Sequence, residues 1–406
     1  MSKLDELLRE LCPDGVEYKK LGEIATISRG GNFQKKDFLT EGVPCIHYGQ
    51  IYTKYGLFAD KTFTFISEEC AKKQKMARPN DIVMAVTSEN IEDVCKCLAW
   101  LGDEPVAVSG HSAIIHHNQN AKYLVYYFHS QMFFAQKRKL AHGTKVIEVT
   151  PDALVDIALP VPPIEIQREI VRILDNFTNL TAELTAELTA RGIQYSYYRN
   201  KLLTFHSDTK IVQLADIADI GTGSSNTNEA VEDGKYPFFV RSQEPLRKND
   251  FEYDETAIIT AGDGVGVGKV YHYIEGRYAL HQRAYRIHIN TPEVVPKYYF
   301  HYMKAKFLPY IQKTMFQGSV ASIRRPMLNA FPVPVPSLDV QNRIVKVLDN
   351  FEKICSDLNI GLPAEIEARQ KQYEYYRDKL LTFAENGNTI LSRAEQSRAE
   401  QSRAEH

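Results

Sequence analysis

The chain repeats itself, and that repeat limits its possible architecture more than any other feature. Residues 160 to 177, Pro-Val-Pro-Pro-Ile-Glu-Ile-Gln-Arg-Glu-Ile-Val-Arg-Ile-Leu-Asp-Asn-Phe, return at 334 to 351 as Pro-Val-Pro-Ser-Leu-Asp-Val-Gln-Asn-Arg-Ile-Val-Lys-Val-Leu-Asp-Asn-Phe, an offset of 174. Tyr-Tyr-Arg-Asn-Lys-Leu-Leu-Thr-Phe at 197 to 205 returns at 375 to 383, with Asp378 for Asn200, an offset of 178. In the first copy Ile166, Ile170, Ile173, Phe177, Leu180, Leu184 and Leu188 step by 4, 3, 4, 3, 4, 4, and Val340, Ile344, Val347, Phe351, Ile354, Leu358 and Leu362 step identically in the second. Sustained spacing of this kind is the seam of a helix packed along another helix. The clusters Pro160-Val-Pro-Pro163 and Pro332-Val-Pro-Val-Pro336 cannot continue a helix, so they mark extended entries before each one. Gly361-Leu362-Pro363 predicts a bend in the second helix that the first lacks. The four-residue difference in offset traces to the tandem Thr181-Ala-Glu-Leu184 and Thr185-Ala-Glu-Leu188. One such unit is close to a helical turn, so gaining or losing it keeps the seam and changes the length by about 6 Å.

Ahead of each repeat helix lies a globular stretch, and the two are related mainly at their ends. Leu21-Gly-Glu-Ile-Ala-Thr-Ile-Ser-Arg-Gly30 matches Leu214-Ala-Asp-Ile-Ala-Asp-Ile-Gly-Thr-Gly223, and Gly143-Thr144 and Gly318-Ser319 each lie eight residues before Pro151 and Pro326. Their interiors differ and share only strand-like runs such as Ile82 to Val86, Ala113 to Ile115, Pro237 to Val240 and Ala257 to Thr260. The expected order is a first globular domain with an N-terminal helix (1–159), a spacer helix (160–205), a second globular domain (206–333), a distal spacer helix (334–383) and a repetitive Ser-Arg-Ala-Glu-Gln tail (384–406) read as solvated. The fold class is α+β: mixed sheets with helices, in a pseudo-twofold, nearly circular arrangement.

At 406 residues, with 44% apolar and 25% charged side chains, two or three cores are affordable. No run reaches the roughly 18 apolar residues of a membrane span, and the first residues lack the apolar stretch of a secretory signal, so a cytoplasmic location is the default expectation. The six cysteines (Cys12, Cys45, Cys70, Cys95, Cys97, Cys355) show no C-x2-C pairs and imply no zinc. Gly262-Asp-Gly-Val-Gly-Val-Gly-Lys269 fails as a phosphate loop, because Asp263 stands where a glycine is needed and Val270 where Ser or Thr is needed; a turn between strands fits better. His111, His116 and His117 lack metalloprotease spacing, and Pro151-Asp152 is not followed by the acid and lysine of a metal-dependent nuclease. No catalytic residue or metal is implied.

Charge is distributed unevenly. From Lys269 to Arg325 ten Lys or Arg face two acids, interleaved with Tyr271, Tyr273, Tyr278, Tyr285, Tyr298, Tyr299 and Tyr302; from 121 to 147 Lys122, Lys137, Arg138, Lys139 and Lys145 meet no acid. Both stretches could bind a polyanion, or could be ordinary solvated basic faces. Side chains able to make paired hydrogen bonds to bases are Arg29, Asn32, Gln34, Lys35, His47, Gln50, His111 and Lys145 in the first half. In the second they are Arg241, Gln243, Arg247, Lys269, Gln282, Arg283, Arg324 and Arg325.

The two Gln-x-x-Ile-Val-x-x-Leu-Asp-x-Phe helices at 167 and 341, the Thr-Ala-Glu-Leu tandem and the duplicated Tyr-Tyr-Arg ending resemble the DNA specificity subunits of type I restriction-modification enzymes, over residues 1 to about 383. The resemblance implies two target recognition domains, each reading half of a split double-stranded DNA site in the major groove, and two long antiparallel helices as a spacer. It also implies two modification (methyltransferase) subunits using S-adenosylmethionine, and restriction (motor-nuclease) subunits using ATP and magnesium. Under this reading the chain carries no cofactor and no catalysis. A helical scaffold that does not read DNA, or the specificity chain of a related fused restriction-methylation system, are the competing readings.

Overall fold

The computed structural model describes residues 2–314, 322–356 and 360–383. Gly318-Ser319, Leu358 and the Ser-Arg-Ala-Glu-Gln tail lie outside the described residues. The contacts divide the chain into two units, one comprising Met1–Glu183 with the residues from Ile366 on, the other Leu184–Glu365.

The first unit opens with α1 (Lys3–Leu11), where the Ser2 hydroxyl accepts the Asp5 amide at 3.2 Å and the Asp5 carboxylate accepts the Ser2 amide at 2.9 Å. This reciprocal cap satisfies two of the four free amides at the helix start. Leu4 and Leu8 on its inner face are buried. A five-stranded sheet follows, ordered Ala25–Arg29, Ser112–His117, Ile82–Ala85, Cys97–Trp100, Phe58–Ala59, beside a four-stranded one ordered Thr64–Ile66, Val43–Ile46, Val106–Val108, Lys75–Ala77. Ile82–Ala85 and Cys97–Trp100 are buried along their whole length, which accounts for their continuous rather than alternating apolar pattern. α2 (Ala121–Phe128), capped by Asn120, buries seven of its eight residues, and its Tyr123, Tyr126, Tyr127 and Phe128 join the same core as Leu4, Leu8, Leu381 and Phe383.

α3 (Ile164–Leu202) runs unbroken for 39 residues and contributes to both units. In the second unit a six-stranded sheet is ordered Ala218–Thr222, Ala284–Ile289, Tyr253–Ala261, Tyr271–Leu280, Tyr236–Phe239, Leu246–Lys248, with α4 (Pro296–Thr314) packed on it. All four strand-like runs named from the sequence fall on strands, and the Gly262 to Lys269 loop joins the antiparallel strands Tyr253–Ala261 and Tyr271–Leu280. The distal helix is two helices, α5 (Leu338–Ser356) and α6 (Leu362–Leu381). Gly361 lies between them, and Pro363 occupies the first turn of α6, where its missing amide leaves no bond unmade. The bend read from Gly361-Leu362-Pro363 is therefore a full interruption.

The duplicated segments reproduce one set of contacts in each unit. The proline entries are strands: Ala158–Pro160 pairs with Tyr18–Lys20, and Pro332–Pro334 with Ile211–Gln213, in the same antiparallel register. A two-stranded pair has a free edge for each proline, which makes this strand assignment possible. Leu21 donates its amide to Ile157 O at 2.8 Å, as Leu214 does to Phe331 O at 2.9 Å. The repeat glutamine is buried in both copies. Gln167 Oε1 accepts the Asn120 amide at 3.0 Å while its Nε2 donates to Pro162 O at 2.8 Å; Gln341 Oε1 accepts the Val295 amide at 2.8 Å while its Nε2 donates to Glu293 O and Pro336 O, both at 2.8 Å. Each glutamine thus ties the start of its repeat helix to the start of the preceding domain helix. Tyr123 and Tyr298 add hydroxyl bonds to Pro160 O and Pro334 O, each at 2.9 Å.

The seam is only partly what the spacing predicted. Ile166, Ile170 and the unpredicted Val171 and Leu174 are buried in the domain core, with Ile173 and Phe177 packed beside it; Ile344 and Leu348 do the same in the second unit. Leu180, Leu184, Leu188, Val347, Phe351 and Leu362 are half-buried. Val340 and Ile354 are 43% exposed and do not join the seam. Burial at the head of each repeat helix follows a four-residue row facing the domain sheet and helix, a demand that competes with the row facing another helix. Helix-on-helix contact includes an aromatic pair in each unit: Phe177 stacks on Tyr376 at 5.3 Å in the first, and Phe351 on Tyr198 at 5.8 Å in the second. Early α3 thus meets late α6 within the first unit, and late α3 meets α5 within the second.

Candidate nucleic-acid interface

Each unit ends its sheet in a rim built on the same main-chain frame. Ser109 donates to Ile46 O at 3.1 Å, Val86 to His111 O at 2.9 Å and Val149 to Val86 O at 3.0 Å. In the second unit His281 donates to Phe239 O at 2.9 Å, Gly262 to Arg283 O at 2.9 Å and Ile323 to Gly262 O at 2.7 Å. These bonds set Tyr48, Thr87 and His111 in positions matching Arg241, Asp263 and Arg283. Gly30 and Gly223, paired in the sequence, close the frame: a methyl at either would run into the carbonyl oxygen of Ser109 or Leu280.

In the first unit the rim opens into a groove of about 630 Å³ lined by Arg29, Asn32, Gln34, Lys35, His47 and His111, six of the eight predicted residues, together with Phe33, Lys36, Tyr48 and Ser109. The Gln34 loop is held by its own amide donating to Asp37 at 2.8 Å, and Arg29 pairs with Glu148. His47 is buried among Phe33, Phe38 and Tyr48. Its Nδ1 accepts the Gly49 amide at 3.2 Å, which assigns the proton to Nε2. Burial, then the charges of Lys35 and His111, hold its pKa below the usual value, so it is a neutral donor. His111 is exposed, with Nδ1 3.2 Å from Thr87 Oγ1. Gln50 is a correction: it is buried, accepts the His47 amide at 3.1 Å and donates to Thr64 at 3.1 Å, so its amide is spent inside. Lys145 is exposed and does not line the groove.

In the second unit Arg241 and Arg283 converge on Asp263, at 2.6 and 3.4 Å. Gln282 donates to Asn226 Oδ1 at 2.5 Å on the same rim. Arg324 precedes the short helix Arg325–Asn329, next to the Ile323 bond that anchors the Asp263 loop; both arginines are exposed. Gln243 and Lys269 are exposed, and Arg247, on the strand Leu246–Lys248, donates to Gly234 O at 3.3 Å. Asp263, Tyr48, Thr87 and Asn226 were missed in the sequence. Asp263 was visible only as the residue that spoiled a phosphate-loop pattern, and no local signal singles out the rest.

About half of the residues in the two basic stretches have partners within the molecule, while Arg138, Lys139 and Lys145 in the first and Lys269, Lys313, Arg324 and Arg325 in the second are exposed. Arg277 pairs with Asp254, Arg286 with Asp219 and with Glu255 at 3.3 Å, and Lys304 with Glu352 at 2.6 Å, while Lys297 lies over the Tyr273 ring. Lys122 pairs with Asp175 at 2.7 Å, and buried Lys137 donates to Glu92 O and Val94 O. Tyr278, Tyr298 and Tyr299 are fully buried. Sequence counting cannot separate a lysine that faces solvent from one that neutralises a repeat-helix acid one layer down. His301, Asp349 and Glu352 bring their ligand atoms within 4.8 Å of one another, and the Lys304 ammonium supplies positive charge at that cluster. Among the described residues no helix is long and apolar enough to cross a membrane.

Two copies of one sheet frame with unlike polar rims, each joined to a repeated helix by a buried glutamine, define a duplicated α+β protein whose copies differ where they meet solvent. The profile of the type I restriction modification DNA specificity domain matches residues 13–191 and 206–368, and the chain belongs to that family. It is 37% identical over 251 residues to the specificity subunit of the Escherichia coli type I restriction enzyme EcoR124I/EcoR124II, a match covering 55% of this chain and 61% of that subunit's length. Its fold is that of the type I restriction-modification S subunit of M. genitalium (TM-score 0.58, 13% identity, 91% of this chain and 97% of that one). A chain solved in work on complex assembly and conformational transition of the type I system shares it as well (TM-score 0.59, 15% identity, 91% and 98%).

Proposed function

We propose that this chain recognises a bipartite double-stranded DNA target, each unit reading one half-site in the major groove through its rim, with the gap set by the repeated helices. It docks modification (methyltransferase) subunits and restriction (motor-nuclease) subunits, and it carries no catalysis and no cofactor of its own. S-adenosylmethionine, ATP and magnesium serve the partners, in the cytoplasm where the DNA lies. The observation that carries this reading is the shared main-chain frame presenting histidines, Arg29, Asn32 and Gln34 in one unit and Arg241, Arg283 and Gln282 in the other. These are the residue types whose paired donors and acceptors distinguish base pairs.

The test is selection from a randomised DNA library by the full chain assembled with its modification subunits. Enrichment of two short motifs at a fixed gap is expected. Binding without an enriched motif would favour the helical scaffold. Methylation by the isolated chain would show a catalytic centre of its own and overturn the non-catalytic reading.

A further inference from the structure

We propose that Arg241 and Arg283, anchored on Asp263, read guanine in the half-site contacted by the second unit. The inference rests on the DNA-reading function above and adds the chemistry of one half of its target.

Three neighbouring chain segments bring the trio together. Arg241 follows the strand Tyr236–Phe239, Asp263 follows Tyr253–Ala261, and Arg283 precedes Ala284–Ile289. The main chain beneath is fixed by the Gly262 amide on Arg283 O and the Ile323 amide on Gly262 O, at 2.9 and 2.7 Å. Arg241 and Arg283 each give Asp263 an NH1 donor, at 2.6 and 3.4 Å, and their side chains remain 41% and 60% exposed. A guanidinium has five N–H donors in a planar fork, so most stay free while the carboxylate tethers one nitrogen of each.

The carboxylate also decides between phosphate and base. A cation that serves a phosphate gains nothing from an acid beside it, because the acid repels the ligand and takes up part of the charge. A base edge is neutral and asks for direction instead. Guanine offers O6 and N7 as two adjacent acceptors that match the fork, whereas adenine sets an N6 amino donor against it, leaving donors facing donors. Tethering both side chains beside the carboxylate before binding lowers the cost of ordering them on the DNA.

The experiment compares the wild-type assembly with R241K, R283K and D263N in library selection and in the salt dependence of binding. Lysine keeps the charge and loses the fork. Each lysine variant is expected to lose guanine preference at one position of one half-site by roughly tenfold to a hundredfold, with the salt slope, the gap and the other half-site unchanged. D263N is expected to relax both positions. The unchanged half-site reports that each variant is folded and assembled. Variants that leave every position as it was, or a D263N change that weakens all sequences equally with an altered salt slope, would overturn guanine reading while leaving the DNA-reading function standing. Failure of the wild type to enrich any bipartite motif would remove the function and this inference together.

Discussion

Three residues test how the structure is held. Gln341 satisfies the Val295 amide and two carbonyls from a fully buried position. Gln341→Ala leaves those groups without partners and should cost about 2 kcal/mol, read as lost hydrogen-exchange protection at the Val295 amide; unchanged protection would show that the clamp is not structural. His117 is buried, its Nδ1 accepts the Gln119 amide at 3.1 Å, and burial, partly opposed by Asp81, lowers its pKa from 6.5 to about 4. The unfolded chain therefore takes up the proton first. Stability is full above pH 6.5 and falls as the pH drops towards 4, by up to roughly 3 kcal/mol. His117→Gln should flatten that slope in urea titrations across the window. Gly223→Ala should destabilise the second unit, since the added methyl meets the Leu280 carbonyl, and a thermal melt unchanged from wild type would refute the close approach. None of the three roles shows in local sequence except through duplication: Gln167 and Gln341, like Gly30 and Gly223, drew notice because the chain wrote them twice.

Among elements, α3 carries the sharpest expectation. The Thr-Ala-Glu-Leu tandem lies wholly inside this continuous helix, where Leu184 and Leu188 are half-buried. Deleting Thr185 to Leu188 removes about one turn, about 6 Å, against the roughly 3.4 Å rise per base pair of DNA. The expected outcome is a gap shorter by one or two base pairs between unchanged half-sites, seen by mapping the methylated bases left by the assembly; a changed half-site at constant gap would refute the ruler. Helices and joints were legible because periodicity, proline and glycine act locally. Val340 and Ile354 were misread for a reason of equal generality: the periodic pattern states that a helix has an apolar face, not which neighbour covers it. The heads of both repeat helices are claimed by the domain core, through Ile170 and Leu174 in one and Ile344 and Leu348 in the other.

At the scale of the whole molecule, Arg277, Arg283, Arg286, Lys297 and Lys304 of the ten basic residues from Lys269 to Arg325 have partners within the chain, while Lys269, Lys313, Arg324 and Arg325 are exposed. DNA affinity of the assembly should therefore fall with salt more gently than ten phosphate contacts would require, and Arg324→Ala should lower affinity for all sequences alike while reducing the slope by about one. Arg324→Ala that instead altered a half-site would move this residue to the base-reading set. The two-unit plan was readable from the duplication; which polar side chains share a rim was not, since Asp263 and Arg283, or Thr87 and His111, are joined only by the folding of distant strands.

Because the frame beneath each rim rests mainly on amide-to-carbonyl bonds, those bonds form whichever side chains stand at the rim positions above them. Substitutions at Tyr48, His111, Arg241 or Arg283 spend little of the folding free energy, so descendants of this chain can change what they bind by single steps at the surface while the scaffold they inherit stays intact.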